Sequence, residues 1–190
     1  TLASRSNTSF PFRTVQTATA TGMESGGFIA YYREASTDYI IGKTSGANSF
    51  RRCAFSGSGG TLVTVSGTAP TSYAGALAWD ATNNYLLVRE AATTQIRRYT
   101  VSGTTITNIN SDITLSTNLT AIATMFVVGT EIWIIDVISS QYNLRKYNAA
   151  GTLQSTTPLC SSSRAPYFLH PYGSTNLYMI PSANANGTVT

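Results

Sequence analysis

Residues 95–103 read QIRRYTVSG, and the chain spells something close to this twice more. Residues 50–57 are FRRCAFSG and residues 144–151 are LRKYNAAG. Each stretch has an apolar residue, two basic residues and a closing glycine. The first basic residues are Arg51, Arg97 and Arg145, at spacings of 46 and 48 residues. Self-similarity at such a period marks stacked supersecondary units, none of which buries its apolar face alone.

The surrounding sequence repeats in step. Ahead of each basic pair comes an apolar burst: YIIG at 39–42, YLLV at 85–88 and IWII at 132–135, with a fourth, LYMI, at 177–180. Each burst follows another apolar segment and a polar turn, as in FIAYYREASTDYII from Phe28 and ALAWDATNNYLLV from Ala76. TMFVVGTEIWII from Thr124 and YFLHPYGSTNLYMI from Tyr167 have the same form. This is strand, tight turn, strand: a β-hairpin. The basic pair sits on a third strand. A glycine-bearing turn follows (SGSGG, SGTT, AAGT), then a fourth strand (TLVTVS, TITNIN, TLQSTT). No segment carries a helical apolar period long enough to compete.

Four short antiparallel strands in about 46 residues is the signature of a propeller blade. The expected fold is therefore all-β, a single β-propeller domain over residues 1–190. Its blade units fall near 27–66, 75–110, 122–157 and 166–190. On this reading residues 10–20 (FPFRTVQTATA) complete the last blade as a fourth strand and the terminal GTVT supplies its third. The alternative is a stretch of a larger propeller, which the missing basic pair in the last unit favours. The chain opens on Thr1, as a processed product or a fragment would.

The segment ALAWDATNNYLLVREAATTQIRRYTVSG, residues 76–103, resembles one blade of the NHL and YncE-like propeller families. The likeness lies in an apolar strand, an Asp-x-x-x-Asn-type turn, a second apolar strand, and a basic strand ending in Gly. It implies a binding or scaffolding role, though some propellers are enzymes. The paired glycines of kelch repeats and the regular Gly-His and Trp-Asp marks of WD40 repeats are missing.

Composition narrows the function classes. Charged residues make up 11% of the chain, against roughly 25% in ordinary soluble domains. Ser and Thr take their place, which suits short strands and polar turns. The net charge is +4, yet Arg5, Arg13, Arg33, Arg89 and Arg164 are scattered and form no basic stripe, so nucleic acid is not the expected partner. No run of 18 apolar residues is present, so no membrane-spanning helix is expected. Cys53 and Cys160 belong to no CxxC or Cys/His cluster, so neither a metal nor a cofactor is expected; whether they bridge stays open. Sequons at Asn7, Asn118 and Asn186 become glycan sites if the chain passes through a eukaryotic secretory pathway.

Catalytic constellations are sparse. Asp80 and Asp136 are the carboxylates to consider for a glycosidase or lyase, which needs two facing each other across a cleft. The competing expectation makes Asp38, Asp80 and Glu131 turn residues that accept bonds from backbone N–H groups. His170, the single histidine, is expected in a hairpin turn, and no G-x-S-x-G elbow accompanies it. Arg51, Arg97 and Arg145 offer either a positive ring for anionic glycans or phosphates, or side chains packed between blades; their repetition in register favours packing. Tyr73, Tyr142 and Tyr172 are expected in loops, where exposed rings suit sugars or protein contact.

The leading expectation is a non-enzymatic structural or interaction module, extracellular or on a virion surface, that self-associates or binds proteins in a filament, fibre or coat. The second is a carbohydrate-binding propeller, lectin-like or phage receptor-binding. The third is a glycan hydrolase or lyase.

Overall fold

The computed structural model describes residues 29–44, 49–55, 60–70, 73–90, 94–120, 122–161, 166–172 and 176–181. Among them every regular element is a strand, and no helix occurs. Unit 1 comprises β1 (Ile29–Glu34), β2 (Thr37–Lys43), β3 (Phe50–Ala54) and β4 (Thr61–Ser66). Unit 2 comprises β5 (Tyr73–Asp80), β6 (Tyr85–Glu90), β7 (Gln95–Ser102) and β8 (Thr105–Asn108), with the short β9 (Ile113–Thr114) paired to β7. Unit 3 comprises β10 (Ile122–Val128), β11 (Glu131–Ile138), β12 (Gln141–Tyr147) and β13 (Leu153–Ser161). A hairpin follows, β14 (Pro166–Tyr172) and β15 (Asn176–Pro181). The segments 10–20 and 187–190, expected to complete a fourth unit, lie outside the described residues.

Within each unit consecutive strands pair antiparallel. The fourth strands of units 1 and 2 join in parallel, Thr64 to Ser66 against Thr105 to Thr107, so the two units form one nearly closed sheet. First strands lie innermost: β5 packs against β1 on one side and β10 on the other, and β10 touches β14. Units set side by side through their first strands fit a propeller-type arrangement.

Burial explains why the second strands read as continuous apolar runs. β6 (YLLVRE) and β11 (EIWIIDVI) are covered on both faces, with burial running unbroken along five residues of each. A half-exposed strand would alternate instead. One core lies between units 1 and 2, where Tyr32, Ile41 and Phe50 meet Leu86, Val88 and Tyr99. A second lies between units 2 and 3, where Leu87 and Ile96 meet Met125, Ile132, Ile134 and Tyr147. The far face of unit 3 carries a third cluster, Trp133, Ile135 and Leu144. Each fully buried Leu, Ile or Val contributes about 1.5–3 kcal/mol, so most of the stabilisation sits between units.

Candidate functional site

The basic pairs stand on the third strands, and strand geometry sends their members to opposite faces. Arg51, Arg97 and Arg145 oppose Gly42, Val88 and Ile134 on the second strands. Val88 belongs to the core facing unit 1 and Ile134 to the core facing unit 2. Arg97 and Arg145 therefore point into the junction with the preceding unit.

Each meets a carboxylate there. Arg97 donates through Nε to Glu90 Oε1 at 2.6 Å and through Nη2 to Oε2 at 3.1 Å, and reaches Asp112 at 3.1 Å. The Glu90 hydrogen bond, against the cost of burial, holds the Arg97 guanidinium above its ordinary range. Arg145 lies 3.3 Å from Asp136, which is fully buried, and donates to Thr117 Oγ1 and to the Asn118 carbonyl. Asp136 also accepts the Thr120 backbone N–H at 3.0 Å. Register makes Glu90 and Asp136 equivalent, each two residues beyond the partner of its arginine. In unit 1 that place holds Thr44, and Arg51 turns instead to the Gly60 carbonyl at 2.7 Å.

A third residue completes the repeated set. Tyr99 donates to the Thr68 carbonyl at 3.0 Å, and the Tyr147 and Thr117 hydroxyls are 2.7 Å apart. Both tyrosines are fully buried and tie a third strand to the segment leading into its own unit. Cys53 stands at this position in unit 1.

The second members of the pairs face the other way. Arg52 bonds Glu34 at 2.8 Å, Tyr32 Oη at 3.1 Å and the Gly103 carbonyl across the junction, and its guanidinium lies 4.0 Å from the Tyr39 ring centre. Glu34 accepts the Gly103 N–H at 2.8 Å. That bond, with help from Arg52 and against burial, holds its carboxyl below the ordinary value of 4.5. Burial pushes the Tyr32 hydroxyl up to about 12. Lys146 sits 3.9 Å above the Trp133 ring, and Arg98 bonds Ser111. From unit 2, the buried Arg89 enters the junction with unit 3. Burial lowers its pKa, and the Asp136 charge opposes the shift.

Several sequence expectations are corrected. Tyr142 lies within β12, paired with Val137 and Cys160, not in a loop. Tyr73 opens β5 and Tyr172 closes β14, since the strands extend further than the apolar pattern marks. His170 is a strand residue opposite Tyr178, not a turn residue. Asp80 does cap its turn, accepting the N–H groups of Thr82 and Asn83. Asp38 instead lies in β2 and accepts from the Tyr31 hydroxyl, while Glu131 accepts from the Trp133 indole N–H. Asp136 lies inside β11. Asp80 stands at the turn end of its hairpin in unit 2. Asp136 lies five residues from the turn end in unit 3, about 17 Å along the strand, so the two do not face each other across one cleft. Cys53 and Cys160 form no disulfide, and Cys53 is buried. Asn118 lies between β9 and β10; Asn7 and Asn186 lie outside the described residues. Among the described residues no three of His, Cys, Asp and Glu converge, and no helix is long and apolar enough to cross a membrane.

At the turn end, units 2 and 3 part to leave a shallow, solvent-open cleft. Its floor is apolar, including Leu87, Val127 and Ile132, and its rim carries Asp80, Arg98 and Thr130. No aromatic ring lines it among the described residues. Sequence reading missed this cleft, because its walls come from turns of two different units. It also missed Glu90 and the two tyrosines. The one available signal was a carboxylate seven or nine residues ahead of the arginine.

No family model matches the chain, and no curated protein matches it. Among solved structures, it is similar to YCF48 bound to a D1 peptide, with 10% identity and a TM-score of 0.44 over 80% of this chain and 48% of that one. It is also similar to a candidate 6-phosphogluconolactonase from Bacteroides uniformis, with 10% identity and a TM-score of 0.49 over 84% of this chain and 54% of that one. The chain thus spans about half the length of each. Neither likeness transfers a function.

Proposed function

We propose that this chain is an interaction module: a propeller-type stack, displayed outside the cell or on a virion surface, that docks a partner protein in the cleft between units 2 and 3. The observation that carries this reading is a division of labour. Arg97 and Arg145 are engaged by carboxylates of their own units, Glu90 and Asp136, while the cleft keeps an apolar floor and a polar rim, the make-up of a pocket that takes an anchoring side chain. Low charge and a Ser/Thr-rich composition support the extracellular setting. The hairpin β14–β15 beside unit 3 supports a fourth blade of the NHL or YncE-like pattern.

Capture experiments with the purified chain test the docking site. A protein retained by the wild type should be lost with Arg98→Glu and with Thr130→Lys, and kept by Leu62→Lys on the distant β4. Retention by both cleft variants would sink the reading. The carbohydrate alternative is favoured by the polar rim and opposed by the lack, among the described residues, of an aromatic ring for a sugar to stack on. A glycan array that retains the wild type but not Arg98→Glu would reverse the choice.

A further inference from the structure

The rim of the cleft between units 2 and 3 is electrostatically uneven. The Asp80 oxygens are occupied by their own turn. Oδ1 accepts the Thr82 and Asn83 N–H groups at 3.0 and 3.1 Å, and Oδ2 accepts the Asn83 side-chain amide at 2.8 Å. Arg98 is only partly engaged. Its Nε donates to the Ser111 carbonyl and its Nη2 to Ser111 Oγ at 2.7 Å. These bonds fix the guanidinium at the rim, while Nη1 has no hydrogen-bond partner among the described residues. Arg52, Arg97 and Arg145 each meet a carboxylate. Among the described residues Arg98 forms no ion pair, and it is the cation that lines the cleft.

Beside Arg98 the floor consists of branched aliphatic side chains, Leu87, Ile113, Val127 and Ile132. An apolar floor with one donor-rich corner complements an aliphatic side chain beside a negatively charged acceptor. The net charge of +4 also favours the approach of an acidic partner. Building on the reading of this cleft as a docking site, we infer that what docks there is an extended acidic peptide segment. It lays a Leu, Ile or Val side chain on the floor and turns an Asp or Glu two residues away toward Nη1 of Arg98. Two residues is the spacing because residues i and i+2 of an extended segment share a face, about 6.6 Å apart. A carboxylate on a guanidinium makes a charge-assisted bond, stronger than a neutral one. A basic segment would find the Asp80 oxygens occupied and the Arg98 charge repelling it.

Panning a random decapeptide display library on the purified full chain tests this, with the enriched peptides resynthesised and titrated by fluorescence anisotropy. They should share an aliphatic residue two places from Asp or Glu. They should also bind the wild type better than Thr130→Lys, which obstructs the cleft. Replacing the peptide's acid by its amide should weaken binding about tenfold, as should Arg98→Gln. The two changes together should cost little more than either alone, because they remove one bond. The change in the peptide leaves the protein untouched, so its effect is separate from any folding defect. Peptides sensitive to Thr130→Lys that carry no acid, or that bind Arg98→Gln as well as the wild type, overturn the inference and leave the docking reading standing. A selection that yields no peptide sensitive to Thr130→Lys overturns both.

Discussion

Arg97 and Arg145 look alike in the sequence, and their partners do not. Glu90 precedes Arg97 by seven residues, whereas Asp136 precedes Arg145 by nine, because strand register places the two hairpin turns differently. Register brings each carboxylate to its arginine; linear spacing does not, which is why the cations were legible and the pairs were not. Removing one partner of a buried pair strands the other's charge. Asp136→Ala should therefore cost about 3–5 kcal/mol in urea unfolding, whereas an exposed change such as Gln154→Ala should stay within about 0.5 kcal/mol. Glu34 adds a pH dependence. Its folded pKa lies below 4.5, so its contribution is fully present above that value and is lost as pH falls through the folded pKa. Stability should drop below pH 4.5 in the wild type, and Glu34→Gln should flatten that limb. A limb unchanged by Glu34→Gln would mean that the bonds to Gly103 and Arg52 contribute nothing to it.

At the scale of elements, turns discriminate. Ser139 and Ser140 form the two-residue loop of the β11–β12 hairpin with φ of 50° and 61°. That left-handed pair is the backbone of a type I′ turn, which Asn-Gly adopts with far less strain than Ser-Ser. Replacing both residues by Asn-Gly should stabilise the protein by about 1 kcal/mol, read as a higher urea midpoint with unchanged slope. The glycines closing the basic stretches differ in a way the sequence does not reveal. Gly103 has φ of 55° and open space where a methyl group would sit, so Gly103→Ala should cost about 1–2 kcal/mol from conformation alone. At Gly151 a Cβ would run into the Thr114 carbonyl oxygen. Gly151→Ala should cost clearly more, because backbone must move. Hairpins and closing glycines were legible because their residue types answer to local backbone demands. The loop placement of Tyr73, Tyr142 and Tyr172 failed because aromatic residues prolong strands as readily as they decorate loops.

For the whole molecule, the period near 46 residues made the stacked all-β architecture readable. The junctions were not readable, because each is built from two units distant in the chain. Their character bears on the function proposed: apolar clusters such as that of Leu87 and Ile134 fasten neighbouring units, which leaves the turn-end cleft for contact with a partner. The most direct test is a double-mutant cycle across the junction between units 2 and 3, with Arg89→Met, Asp136→Asn and the double variant compared by urea unfolding. If the units stack as described, the two substitutions couple by about 0.5–3 kcal/mol, the double variant losing less than the two singles together. Additivity within about 0.5 kcal/mol would mean that the two charges do not couple across this junction, and would contradict the stacking of units at its centre.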